Sequence, residues 1–133
     1  MADLTLTPFL MFQEGKASAA IDYYMATFPD ARVEGLERFG AGEQSAEGTV
    51  KAATLMIAGQ RLRIFDSPVK HAFDFTPAIS FFVDCTSEDQ LRGLAEALAD
   101  GGAALMPLNN YGFSQLFAWV NDRFGVSWQL NLP

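Results

Sequence analysis

The chain has 133 residues, a length that fits one globular domain and leaves little room for a second core. Half of the residues are hydrophobic and 13% are aromatic, with twelve Phe, which excludes a disordered polar chain. The net charge of -7 and pI near 4.5 argue against nucleic acid and anionic membrane surfaces, because the nine basic residues form no cluster to offset the field. One cysteine, Cys85, can form no internal disulfide, and one Cys with one His is too few for an ordinary structural zinc site. The N-terminal stretch lacks a signal-peptide pattern, and no apolar run approaches the about 20 residues needed to span a bilayer, so a soluble cytoplasmic protein is expected.

In chain order, Leu4 to Phe12 is apolar and β-rich and ends at the turn-like Gln13-Glu14-Gly15. Ala20, Ile21, Tyr24, Met25 and Phe28 recur at helical spacing, which predicts a helix over Ala17 to Phe28 that Pro29 stops. Ala31 to Phe39 is the next predicted strand, followed by a polar, glycine-rich loop over Gly40 to Gly48. Val50 to Ile57 and Arg61 to Asp66 are predicted strands joined by Ala58-Gly59-Gln60, too short a connection for anything but an antiparallel hairpin.

A proline-bounded linker over Ser67 to Pro77 separates this half from the next. Ala78 to Cys85 is a predicted strand. Ser87 and Gln90 stand in capping-box register before a helix whose face is Leu91, Leu94, Ala95, Leu98 and Ala99, and Gly101-Gly102 ends it. Strands are predicted near Ala104 to Met106, Gln115 to Val120 and Ser127 to Leu132. Both halves therefore follow a βαβββ order, as modules of about 1–67 and 77–133 in a single α+β domain. Neither half can bury its sheet alone.

Thr7-Pro8-Phe9-Leu10-Met11-Phe12, Tyr23-Tyr24 with Phe28-Pro29-Asp30-Ala31, and Glu47-Gly48-Thr49-Val50 form the first part of a further pattern. Ala78-Ile79-Ser80-Phe81 and Asp122-Arg123-Phe124-Gly125-Val126-Ser127-Trp128-Gln129 complete it. Over nearly the whole chain this resembles the PhnB-like branch of the vicinal-oxygen-chelate superfamily, also called the 3-demethylubiquinone-9 3-methyltransferase domain. The resemblance implies the glyoxalase/bleomycin-resistance/dioxygenase architecture, two βαβββ modules forming a half-open barrel, and a homodimer. It also implies a divalent metal held on the first and last strands of each module, at positions that fall here on Thr7, Arg63, Ala78 and Gln129. Those side chains are poor metal donors and Arg63 would repel the ion, so no metal or other cofactor is expected. Methyl transfer is not expected either. Gly40-Ala41-Gly42 lies between two predicted strands, whereas a nucleotide-type cofactor turn leads from a strand into a helix.

Strand alternation assigns Leu6, Leu10, Phe12, Leu62, Ile64, Ile79, Phe81, Val83, Trp128, Leu130 and Leu132 to a face beneath the helices. The other face has Thr7, Phe9, Met11, Arg61, Arg63, Phe65, Ser80, Phe82, Gln129 and Asn131. From it Phe9, Met11, Arg63, Phe65, Ser80, Phe82 and Gln129, joined by Trp119 and His71, are the candidate ligand-pocket residues. A solidly packed barrel is the bland alternative. His71, the one ready general base, lies in the linker, where a solvated loop residue is the simpler account. Cys85 is expected to be a buried small hydrophobe. Asp66 is expected to cap the turn into Ser67-Pro68, or else to orient Arg63 or His71. No catalytic set is identified. The expected function is metal-free binding of a small aromatic or anionic molecule. Alternatives are a metal-dependent lyase, isomerase or dioxygenase-like enzyme, and a non-catalytic dimeric interaction protein.

Overall fold

The computed structural model describes residues 3–133. They fall into two compact units, one ending at Ala72 and the other spanning Phe73–Pro133. The first contains β1 (Phe9–Phe12), α1 (Ala17–Thr27), β2 (Arg32–Arg38), β3 (Val50–Ile57) and β4 (Gln60–Asp66). The second repeats the order with β5 (Phe81–Asp84), α2 (Glu88–Ala99), β6 (Ala103–Asn109), β7 (Leu116–Asn121) and β8 (Ser127–Leu132). Each unit is thus a βαβββ module with an open four-stranded sheet, ordered β1-β4-β3-β2 in one and β5-β8-β7-β6 in the other. In both, the first strand runs parallel to the last and the remaining pairs are antiparallel.

Each helix covers one face of its own sheet. In the first module Leu10, Phe12, Leu55, Leu62 and Ile64 are buried on that face, with Ala17, Ala20, Ile21 and Tyr24 on α1. In the second the buried face has Trp128, Leu130, Ala118 and Val120, with Leu91, Leu94, Ala95 and Leu98 on α2. Leu55, Ile64, Leu98 and Leu130 are fully shielded, and truncating any one to Ala would cost about 2–5 kcal/mol through lost transfer energy and the cavity left.

Two strands begin later than their apolar content suggests. β1 starts at Phe9 rather than Leu4, and β5 at Phe81 rather than Ala78. Proline accounts for both. Pro8 has no N–H to extend the ladder, and Pro77 opens a turn that delays strand entry. Leu6 and Ile79 consequently lie outside the sheets and are 87% and 73% exposed, instead of packing under the helices.

The helix ends follow local chemistry. Phe28 is forced into an extended conformation (φ -102°, ψ 125°) by Pro29, which closes α1 at Thr27. At the other helix, a Cβ on Gly102 would stand 2.0 Å from the carbonyl oxygen of Asn121, so only glycine lets α2 turn into β6 at this spot. Among the described residues no helix is long and apolar enough to cross a membrane.

Candidate functional site

With one face of each sheet under a helix, the opposite faces are left to do chemistry. In the first module the ladder sets Phe9 beside Arg63 and Met11 beside Phe65, while Thr54 flanks Arg63 from β3. The Arg63 guanidinium lies 5.1 Å from the centre of the Phe9 ring, and the Phe9 and Phe65 rings are 4.9 Å apart. Phe9 is 58% exposed, a large ring standing in solvent. Arg61 on the same face donates to Glu34 at 2.9 Å, and Arg32 reaches that carboxylate at 3.3 Å. The Arg61 hydrogen bond, aided by the charge of Arg32, holds the Glu34 carboxyl below its usual range.

In the second module Phe82 stands beside Gln129, and Trp119 flanks Gln129 from β7. This face carries amides, hydroxyls and the carboxylate of Asp84, where the first carries arginines. Gln129 Nε2 donates to Ser80 Oγ at 2.8 Å, Asn131 Nδ2 to Asp84 Oδ1 at 2.9 Å, and Trp119 Nε1 to Ser127 Oγ at 2.8 Å. Beside them the Phe117 ring is packed by Phe113 at 4.9 Å, Tyr111 at 6.1 Å and Phe82 at 6.3 Å. The buried Asn121 Oδ1 has no hydrogen-bond partner among the described residues.

The nine candidate residues therefore divide. Phe9, Met11, Arg63 and Phe65 gather on the first open face, and Ser80, Phe82, Trp119 and Gln129 on the second. His71 belongs to the first unit and serves its linker: its N–H donates to Gln13 Oε1, and Nε2 lies 3.3 Å from Ser67 Oγ. Phe117 and Asn121 escaped the sequence reading, although alternation carried from Trp119 along β7 puts both on its face. Tyr111 and Phe113 belong to the β6–β7 loop, where no periodicity marks them.

Two other residues settle into structural roles. Asp66, 1% exposed, accepts from the N–H of Ala17 at 2.9 Å and of Val50 at 2.8 Å. It caps α1 rather than the turn into Ser67-Pro68, and its oxygens orient neither Arg63 nor His71. Cys85 is buried, and burial pushes its thiol up, with the charge of Asp84 acting in the same direction, as befits a neutral hydrophobe.

The expected metal positions also need correction. Thr7 and Ala78 precede β1 and β5, so the residues that adjoin Arg63 and Gln129 in the ladders are Phe9 and Phe82. Neither a cation beside a phenyl ring in the first sheet nor an amide beside one in the second is a divalent-metal donor set. Among the described residues no three His, Cys, Asp or Glu side chains are grouped to hold a metal. Gly40-Ala41-Gly42 lies in the β2–β3 loop, with no helix after it to receive a cofactor phosphate.

Comparison with known proteins agrees with this architecture. The family profile of 3-demethylubiquinone-9 3-methyltransferase matches residues 4–131. A solved PhnB protein from Bacillus cereus, to which the same methyltransferase name is attached, is 42% identical with a TM-score of 0.93, covering 98% of this chain and 100% of its own. Protein PA1353 from Pseudomonas aeruginosa is 26% identical with a TM-score of 0.83, over 98% of each chain. A glyoxylase/bleomycin resistance protein/dioxygenase domain from Frankia shares the fold at 16% identity and a TM-score of 0.63, covering 99% of this chain and 93% of its own. The search of curated proteins finds no match.

Proposed function

The chain belongs to the 3-demethylubiquinone-9 3-methyltransferase family, within the glyoxalase/bleomycin-resistance fold, and we propose that it is a small-molecule-binding protein working without the metal of that fold. The observation that carries this reading is the uncovered face of each sheet. Both faces present a ring to solvent, Phe9 at 58% and Phe82 at 56% exposure, beside a polar side chain on the adjoining strand. Phenyl rings left in water cost free energy that a ligand recovers, at about 25 cal/mol for each Å² it covers. The donor chemistry at Arg63, Gln129, Phe9 and Phe82 favours binding of an organic molecule over chelation of an ion.

Self-association as a homodimer and a cytoplasmic location are part of the same reading. The edge strand β2 supports the dimer: it is exposed along its whole length, with Val33 and Leu36 uncovered, and such an edge invites a partner. Light scattering of the purified chain tests it.

The ligand reading is tested by two-dimensional NMR of the full chain against a library of small aromatic compounds. Saturable shifts concentrated on β1, β4, β5, β7 and β8 are expected. Shifts restricted to the outer surfaces of α1 and α2, or none with any compound, would refute it.

A further inference from the structure

We infer that the first open face selects a carboxylate attached to an aromatic or other flat apolar body, with Arg63 as the anion-binding residue. This rests on the binding reading above and names the ligand class for one half of it.

The first observation concerns partners. Of the six arginines, Arg32 and Arg61 pair with Glu34, Arg92 with Glu88 and Arg123 with Asp100, while Arg38 donates to Ser18 Oγ and the carbonyl of Gly48. The guanidinium of Arg63 alone has no hydrogen bond or ion pair among the described residues. That is unexpected in a chain with sixteen carboxylates and nine bases, where acidic partners outnumber basic ones.

The second observation is that Arg63 is nonetheless held in place. Its guanidinium carbon lies over the Phe9 ring, 5.1 Å from the centre, a cation–π contact that engages none of its N–H donors in a hydrogen bond or ion pair. A guanidinium so held offers a fork of parallel donors, the match for the two oxygens of a carboxylate. Local charge favours the same outcome. Arg32, Arg38, Lys51, Arg61 and Arg63 against Glu34, Glu37 and Asp66 leave the strands of this sheet a surplus positive charge within a molecule of net -7.

The third observation sets the body of the ligand. Phe65 follows Arg63 on the same face and contacts Phe9, with Met11 adjoining Phe65 in the ladder. A carboxylate gripped by the fork would have its attached group over these apolar side chains, where rings gain stacking area. The corresponding row of the second module has Gln129 and Asn131 with their amides engaged, so anion recognition of this kind belongs to the first sheet.

The test is an NMR titration of the full chain with sodium benzoate, neutral benzamide and phenylphosphonate, on wild type, Arg63→Gln and Arg63→Lys. Benzoate is expected to bind at least tenfold more tightly than benzamide and to shift β1 and β4 amides. Arg63→Gln should lose at least tenfold, and Arg63→Lys should lie between because it keeps charge without the fork. Arg63 is exposed, so a well-dispersed spectrum of each variant separates lost binding from lost fold. Equal binding of benzoate and benzamide, or an unchanged benzoate affinity in Arg63→Gln, would overturn the inference while leaving ligand binding on the open faces intact. Phenylphosphonate binding more tightly than benzoate overturns the carboxylate class. Absence of benzoate binding overturns it too, and the library screen above then decides whether the broader reading falls as well.

Discussion

Two buried carboxylates show how single residues fasten this fold. Asp122, 2% exposed, accepts on Oδ1 from the N–H groups of Phe124 and Val126 and on Oδ2 from the indole of Trp128 at 2.9 Å. One side chain thus shapes the β7–β8 turn and anchors the largest buried ring of the second core. Asp122→Ala would leave three donors without their acceptor in a shielded place, where each costs about 1–3 kcal/mol unless water enters. A net loss of about 3 kcal/mol is expected, read as a lower urea midpoint at constant slope. Asp122→Asn should cost about half as much, since its oxygen can still serve the two backbone donors while its amide opposes the indole N–H. Equal stability of Asp122→Ala and wild type would show that the turn holds without the carboxylate. The sequence marks this residue through the Asp-Arg-Phe-Gly pattern. Its hydrogen-bonding role follows only from the closed turn.

The helices differ in where their caps come from, and that difference explains which parts of the fold could be read in advance. α2 begins with Ser87, whose hydroxyl accepts from Gln90 N at 3.1 Å, while Gln90 Oε1 accepts from Thr86 N at 2.8 Å. All partners lie within four residues, so the helix start was visible from spacing alone. α1 has Lys16 at its N-cap with no side-chain bond, and Asp66 supplies the acceptor from 49 positions away. No local pattern reveals such a partner, and Asp66 was accordingly expected at the nearer turn. The same contrast applies to β1 and β5, whose apolar residues predicted longer strands than pairing allows once Pro8 and Pro77 intervene. Ser87→Ala is expected to cost about 1 kcal/mol, the ordinary worth of an N-cap. Asp66→Ala should cost clearly more, about 2–3 kcal/mol, because it strands the donors of both Ala17 and Val50 in the core. Urea denaturation of both variants checks the order. A larger loss in Ser87→Ala would mean that α1 draws little from the long-range cap.

At the scale of the whole molecule, the repeat organises two modules of one topology around unlike open faces. The βαβββ order and the helix-covered faces were legible because burial imposes periods of two and 3.6 residues on the sequence. The candidate site was legible only in part. Phe9, Met11, Arg63 and Phe65 follow from alternation on β1 and β4, whereas the partner of each ring depends on ladder register, which alternation does not reveal. Register is what replaces Thr7 and Ala78 by Phe9 and Phe82 beside Arg63 and Gln129. The replacement bears directly on the metal. A divalent ion needs several anionic or imidazole donors, and a fixed guanidinium nearby adds repulsion that a poorly solvated site screens weakly. Elemental analysis of tag-free protein, after incubation with Zn, Ni, Mn and Fe salts and desalting, is therefore expected to find well below about 0.1 equivalent of each. A chelator should leave the melting temperature unchanged, because an ion that does not bind the folded state cannot stabilise it. Near-stoichiometric metal would mean that donors come together outside these ladder positions, with His71 the first residue to replace. The metal-free binding reading would then give way to a metal-dependent one.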